Sequence, residues 1–160
     1  MDQLQIQLET VLGELKEQII QFFEQDMLDV ANTLMEQYTK LAPNYFERYS
    51  LEAMLRVGEG NLEGAETILK DGVTSYPLNF DLLYNLGFVY EQKEAILDSY
   101  NLYMKARYVA EHADEKNDVA EALKRLVPKM AGGVATEEGK VSTILRAGEI
   151  TMKVTSDMGD

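Results

Sequence analysis

The sequence contains no cysteine and a single histidine, His112. Without cysteine, neither a disulfide bond nor a thiolate metal site can form, which is compatible with a reducing compartment. His112 stands in the run His-Ala-Asp-Glu, and Asp114 and Glu115 are too few to complete a metal site. We therefore expect no metal, no cofactor and a cytoplasmic protein.

Long apolar runs are also missing. The chain begins Met-Asp-Gln and continues with mixed polar and apolar residues, so it lacks the basic start and apolar stretch of a secretory signal. The densest apolar cluster, residues 19–23, is far too short to span a bilayer. We expect no membrane insertion.

Positive charge is scarce. The formal net charge is −13, and residues 1–43 hold eight acidic and two basic side chains. Nucleic acids and anionic membranes are bound through clustered Lys and Arg, so both are disfavoured as partners. The N-terminal acidity could attract a basic partner, although a solvated helix face explains it equally well and is the interpretation we prefer.

Catalytic motifs are absent from the sequence. Gly132-Gly133 is followed by neither Lys-Ser/Thr nor a helix start, so it is not a phosphate-binding loop. No Ser or Thr lies in a nucleophile elbow. The many carboxylates fall on exposed helix faces, with no pair marked as an acid and a base. We expect that the protein is not an enzyme.

What the sequence does contain is a repeat of about 34 residues. Pro43 recurs as Pro77, and Ala31 recurs as Ala65 and then as Ser99. Bulky apolar positions recur in the same register, namely Leu34, Ile68 and Leu102, and Leu28, Leu62 and Ile96. A chain of 160 residues suits one domain built from such units.

Apolar periodicity of three to four residues predicts helices over residues 3–24, 26–41, 62–75, 81–92, 95–112 and 115–130, with a further helix that ends near Val57. Gly58 and Gly60 predict a tight turn, and Asn79 or Asp81 can cap the helix that follows Pro77. The turn at residues 91–94 contains no glycine, so its boundary is less certain.

The first helix carries an apolar stripe of Leu4, Leu8, Val11, Leu15, Ile19 and Phe22. The stripe can pack on the following helices, or it can pair with a second copy in a homodimer. We favour packing, because the step from Leu15 to Ile19 breaks a strict heptad.

Residues 131–160 are predicted to form a flexible extension, an edge that pairs with something else, or the start of a truncated domain, and we favour the flexible extension. Val141, Ile144 and Leu145 could form a short helix, and Ile150, Met152 and Val154 alternate as in a strand. One strand cannot form a sheet alone, so it would have to pair with something else.

The third unit resembles the tetratricopeptide signature. Leu86, Gly87, Tyr90, Ser99, Tyr103 and Ala106 hold the signature positions without an insertion. The second unit keeps Ala53, Ala65, Leu69 and Pro77 but has Glu52, Arg56 and Gly72 where Leu, Tyr and Ala are usual. The first unit keeps Ala31, Met35 and Pro43, with Ile19 and Phe22 in its leading helix.

This resemblance implies an all-α, TPR-like α-solenoid of helix-turn-helix repeats with an N-terminal helix and a C-terminal capping helix. The repeat domain would span residues 1–130, with repeats at about 12–45, 46–79 and 80–113 and the capping helix at 115–130. Small residues at 87, 99 and 106 would let the helix backbones approach closely.

The resemblance also implies a peptide-binding surface along the first helix of each repeat. The residues that would line it are Lys16, Ile20, Phe23, Glu47, Ser50, Met54, Val57, Asp81, Tyr84, Asn85, Phe88 and Glu91. Ile20 and Met54 stand where a carboxylate clamp needs polar donors, so that variant is excluded. The expected ligand is an amphipathic helix or an extended segment with apolar anchors and some basic residues, held mainly by Tyr84 and Phe88. The alternative is that Phe88 and Met54 are covered by the curvature of the solenoid itself or by the N-terminal helix.

The expected function is that of a protein-binding adaptor or chaperone. Three alternatives remain at this point. Residues 59–92 resemble repeats attached to bacterial surface-polysaccharide glycosyltransferases, so the chain could be an accessory module of a larger enzyme. In size and layout the chain is also similar to small acidic secretion chaperones with three tetratricopeptide units, or it could be a structural homo-oligomer.

Overall fold

A computed structural model describes the backbone of residues 2–130, 142–148 and 150–155, with the side chains of residues 2–130 and 145–148. The helices of these ranges are α1 (Gln3–Glu24), α2 (Leu28–Leu41), α3 (Phe46–Gly58), α4 (Leu62–Ser75), α5 (Phe80–Gln92), α6 (Ile96–Val109) and α7 (Ala113–Met130). Helices α2, α4 and α6 begin at intervals of 34 residues, as do α3 and α5. The predicted solenoid with its N-terminal and capping helices is confirmed.

Local chemistry explains where the helices begin. The Asn61 side chain accepts a hydrogen bond from the Gly64 amide at 2.9 Å, and the Asn79 side chain accepts one from the Leu82 amide at 3.1 Å. Each thereby satisfies an amide that has no partner within the helix. Asn79, and not Asp81, is therefore the cap of α5, and the Asp81 carboxylate is free for another role.

The turns between paired helices require a left-handed residue. Gly60 supplies it between α3 and α4 with φ 79°. The turn after α5, which has no glycine, places Glu94 at φ 62° instead. A residue other than glycine in this region is uncommon, so the turn is held by the helices on both sides.

Successive helices pack as antiparallel pairs, and α1, α3, α5 and α7 also contact one another in chain order, which makes them the inner layer. Ser99 and Ala106 are completely buried. The Ser99 hydroxyl donates to the Gly87 carbonyl at 2.7 Å. The expectation that small residues bring α5 and α6 close together is thus confirmed.

The described part of the tail is a β-hairpin, formed by β1 (Ser142–Ala147) and β2 (Ile150–Thr155), which pair antiparallel with Ala147 opposite Ile150. The strand predicted from Ile150 to Val154 is confirmed. The short helix predicted over Val141, Ile144 and Leu145 is wrong, because Ile144 and Leu145 lie in β1. Residues 131–141, 149 and 156–160 lie outside the described residues.

The hairpin is packed against the repeats rather than extended from them. β1 contacts both α3 and α5. Residues 142–147 thus form a strand against the repeats, while the flexible extension predicted for the tail as a whole stays a prediction. No helix in the described ranges is both long enough and apolar enough to cross a membrane.

Candidate functional site

The concave surface formed by α1, α3 and α5, with α7 at its edge, is the groove that the sequence predicts as a binding surface. In the structure β1 lies in this groove, against α3 and α5. The contacts of β1 therefore show which chemistry the groove can recognise.

Asn85 on α5 holds the main chain of β1. Its side-chain amide donates to the Arg146 carbonyl at 2.8 Å, and its side-chain carbonyl accepts from the Arg146 amide at 2.9 Å. The same amide donates to the Ser50 hydroxyl at 3.3 Å, which orients it from α3. Asn85 and Arg146 are both almost fully buried. The two hydrogen bonds between Asn85 and the Arg146 main chain take the place of the two that a neighbouring strand would make.

The side chain of Arg146 enters what we call the arginine pocket, formed by Phe80, Asp81, Asp114 and Asp118. The guanidinium donates to Asp81 Oδ1 at 2.8 Å, to Asp114 Oδ2 at 2.9 Å, and to Asp118 Oδ2. Its central carbon lies 5.1 Å from the centre of the Phe80 ring. Three carboxylates thus meet one guanidinium, whose fork of donors suits several acceptors at once.

The electrostatics of the pocket favour the charged guanidinium. Burial disfavours that charge, but the hydrogen bonds to Asp81 and Asp114 outweigh burial and raise the pKa of Arg146 above its ordinary value. The same contact with Arg146 lowers the pKa of Asp114. The ion pair between Arg146 and Asp114 therefore persists throughout the neutral range.

The end of β1 is held by groups from three helices. Lys16 of α1 donates to the Ala147 carbonyl at 3.2 Å and forms an ion pair with Glu47 of α3 at 3.0 Å. The Gly148 amide donates to Asp81 Oδ2 at 2.7 Å. Gly148 has φ 71°, as the first residue of a two-residue hairpin turn requires.

Apolar burial adds to these polar contacts. Leu145 and Ala147 are each 2% exposed, and they belong to the same buried cluster as Met54 and Phe88. Met54 and Phe88 are each 1% exposed. They are thus covered within the protein. The alternative interpretation of the sequence expected the N-terminal helix or the solenoid's curvature to cover them; residues of α1 do belong to this cluster, and β1, which was not expected there, belongs to it as well.

The structure places the predicted surface residues in two groups. Lys16, Glu47, Ser50, Asp81 and Asn85 meet around β1, as described above. The others are buried or partly buried away from its polar contacts: Ile20, Phe23, Met54, Val57, Tyr84, Phe88 and Glu91.

Tyr84 is a core residue rather than an exposed anchor. It is 4% exposed, and its ring lies 5.7 Å from that of Phe80 and 5.5 Å from that of Tyr103, measured between ring centres. The expectation that Tyr84 contacts a partner directly is therefore corrected. Ile20 and Val57 are likewise buried, and Phe23 packs over Gly58 at the end of α3.

Glu91 joins α5 to α7 and does not face the groove. Arg125 donates to its two oxygens at 2.6 and 2.7 Å, and the Tyr103 hydroxyl donates to it at 2.8 Å. Burial raises the pKa of Glu91, but the contacts with Arg125 and Tyr103 outweigh it, so the pKa lies below its ordinary value. A structural role replaces the predicted binding role.

Sequence reasoning missed Asp114, Asp118 and Arg146. The two aspartates precede the apolar stripe of α7 and look like solvated residues of a capping helix. Arg146 lies in a segment with few apolar anchors. The one available signal is the sequence Leu145-Arg146-Ala147, which fits the expected ligand of apolar anchors with a basic residue.

A second concave surface lies between α6 and α7, with a volume of about 790 Å³. It is lined by Arg107, Lys116 and Lys124 and by apolar side chains of α7, and it contains none of the predicted binding residues. Among the residues with described side chains, no three His, Asp or Glu are arranged to hold a metal ion.

Comparison with known proteins supports the fold. No protein-family model matches the sequence, and the curated proteins give no significant match. Among solved structures, the chain is similar to one in the structure of Naa15/Naa10 bound to HypK-THB, with a TM-score of 0.62 and 19% identity. The match covers 76% of this chain but only 18% of that chain. At this identity the likeness extends to the fold alone, that of a TPR-like helical solenoid.

Proposed function

We propose that this protein is an adaptor or chaperone that binds an extended segment of a partner protein in the groove, and that it is not an enzyme. The single observation that carries the proposal is the seating of β1 against α3 and α5 through Asn85. A surface that holds one extended segment by its main chain has the chemistry to hold another.

The chemistry of the groove defines the partner. Main-chain contact at Asn85 favours an extended segment over a helix, because helical main-chain groups are already bonded to each other. Burial of Leu145 indicates an apolar anchor, and the arginine pocket indicates a basic residue next to it. A basic partner segment also suits a chain with a net charge of −13.

The known arrangement of the structural neighbour is compatible with this proposal. That protein is in a complex with other proteins, as its description states. A cytoplasmic location remains part of our proposal, as do the accessory-module and secretion-chaperone alternatives, which rest on sequence resemblance. Association of two copies through α1 also stays a prediction; residues 3–11 of α1 are exposed.

The test is capture of partners from the native cell with the full chain as bait. The comparison is made in the Arg146→Ala background, in which β1 is weakened as a competitor for Asn85. There Asn85→Ala removes both hydrogen bonds to a bound main chain, so we expect the partner proteins to be depleted about tenfold, as a loss of about 1.4 kcal/mol implies. Quantitative mass spectrometry of the purified complexes measures this depletion.

The matched control is Tyr108→Ser, which changes a side chain that is 89% exposed on α6, outside the groove. The control bait should capture the same proteins in the same amounts as the unchanged chain. Equal capture by the Arg146→Ala bait with and without Asn85→Ala would refute binding in the groove.

A further inference from the structure

The groove is already filled by a segment of the same chain, and its contacts are those of a specific ligand. Asn85 bonds to the Arg146 main chain, Lys16 bonds to the Ala147 carbonyl, and the Arg146 guanidinium is 3% exposed. Surface salt bridges contribute little, whereas a buried guanidinium that donates to three carboxylates is specific. A partner segment therefore cannot use these contacts while β1 holds them.

The arginine pocket has an excess of negative charge. Asp81 and Asp118 are mostly buried with exposed fractions of 12% and 16%, and Asp114 closes the outer side with 57%. If the guanidinium left, two mostly buried carboxylates would face each other without a cation, which is costly. The pocket thus requires a cationic occupant, and the flat guanidinium of arginine fits three acceptors better than an ammonium group.

The residues before and after Arg146 show which side-chain sizes the groove accepts at these two positions. Leu145 fills a position in the apolar cluster, and Ala147 is 2% exposed next to the Lys16–Glu47 ion pair. A larger side chain at the position of Ala147 would have to displace packed atoms. The site therefore recognises an apolar residue, an arginine and a small residue in succession.

We propose that β1 is a tethered competitor for the groove, and that a partner segment displaces it by presenting an apolar residue, an arginine and a small residue in extended conformation. This proposal rests on the proposed function. Because β1 belongs to the same chain, its effective concentration at the groove is on the order of millimolar. A free segment with identical contacts binds poorly unless β1 is weakened or the partner makes additional contacts.

The probe is a fluorescent peptide with the sequence of residues 143–148, Thr-Ile-Leu-Arg-Ala-Gly, titrated against the full chain by fluorescence anisotropy. Arg146→Ala weakens β1 but leaves the arginine pocket intact for the arginine of the peptide. We expect this variant to bind the peptide about tenfold more tightly than the unchanged chain or better, as removal of a competitor predicts. A peptide with glutamate in place of arginine should not bind.

Two further variants keep the result specific to the groove. Asn85→Ala added to Arg146→Ala should abolish the gain in affinity, because the groove then lacks its main-chain contact. Arg107→Ala removes an exposed arginine of α6, and this control should bind the peptide as the unchanged chain does. If Arg146→Ala loses helicity by circular dichroism, Arg146→Lys replaces it, since lysine keeps the charge without the fork of donors.

Equal peptide affinity for the unchanged chain and the Arg146→Ala variant would overturn the proposal, and so would a gain that survives Asn85→Ala. The other possible occupant is β1 of a second copy of the chain, which light scattering tests. If the unchanged chain is a dimer and Arg146→Ala is a monomer, the groove holds β1 of a second copy and the proposal is overturned. The two proposals fail separately. If Asn85→Ala reduces partner capture while the unchanged chain and Arg146→Ala bind the peptide with equal affinity, the tethered-competitor proposal is refuted and the adaptor proposal stands.

Discussion

Two buried tyrosines show how the same hydroxyl can have opposite effects. Tyr38 and Tyr103 are both completely buried. The Tyr103 hydroxyl donates to Glu91 at 2.8 Å, whereas the Tyr38 hydroxyl has no hydrogen-bond partner among the described residues. Burial raises the pKa of both groups, so both are neutral in the neutral range.

Replacing each tyrosine by phenylalanine removes one oxygen and nothing else. Tyr103→Phe should lower the free energy of unfolding by about 1–3 kcal/mol, because Glu91 loses a hydrogen bond in a buried site. Tyr38→Phe should leave the free energy unchanged or raise it by about 1 kcal/mol, because an unpaired polar group is removed. Urea denaturation followed by circular dichroism measures both. Equal losses in the two variants would contradict this account.

The sequence predicts the apolar role of such residues better than their polar role. Tyr103 is recognised as core from its position in the repeat signature. The register of the repeat predicts that Glu91 faces the groove. Its hydrogen bonds with Arg125, 34 residues later in the chain, give it a structural role instead. A contact between α5 and α7 cannot be read from either helix alone.

At the scale of the helices, glycine illustrates the close packing of a pair. A methyl group added at Gly87 of α5 would lie 2.8 Å from two ring atoms of Tyr103 on α6. Gly13 of α1 has no atom within 4 Å of the same position. Both residues lie inside helices, so they differ in packing and not in helical conformation.

Alanine at these two positions should therefore have effects of opposite sign. Gly87→Ala should lower the free energy of unfolding by about 1–3 kcal/mol, because α5 and α6 must separate to admit the methyl group. Gly13→Ala should raise it by up to about 1 kcal/mol through helix propensity. Thermal unfolding compares the two variants with the unchanged chain, and a loss at both positions would refute the packing argument.

The strand β1 marks the limit of prediction at this scale. The spacing of Val141, Ile144 and Leu145 fits a helix, and β-branched residues alone do not exclude one. Extended conformation is stabilised by pairing with β2 and by the groove, where Asn85, oriented by Ser50 of another helix, bonds to the Arg146 main chain. Local sequence does not contain these tertiary contacts, whereas the helices follow from periodicity within each segment.

For the whole molecule, the Glu91 site links stability to pH. The pKa of Glu91 is lower in the folded protein than its ordinary value of 4.5. A lowered carboxyl pKa stabilises the folded state above the unfolded pKa, and this contribution is lost as the pH falls through the folded pKa. The sign therefore predicts acid sensitivity and not alkaline sensitivity at this site.

Glu91→Gln tests this link. At neutral pH the free energy of unfolding of the variant should be about 3 kcal/mol lower than that of the unchanged chain, because Arg125 is left buried without a countercharge. The difference from the unchanged chain should stay constant from roughly pH 5 to 8 and shrink at lower pH, where the carboxylate becomes protonated. Denaturation curves across this range measure the difference in free energy of unfolding. A difference that grows as the pH falls would contradict the lowered pKa of Glu91.

The hydrogen bonds of Asn85 have one more consequence for what can enter the groove. The residue at the position of Arg146 must offer a main-chain N–H, which Asn85 accepts at 2.9 Å. An imino acid has no such hydrogen, so proline is excluded at that position whatever side chains surround it. A single methyl group on that backbone nitrogen should therefore weaken the binding of an otherwise matched ligand, because Asn85 loses its donor and the methyl group takes the place of the hydrogen.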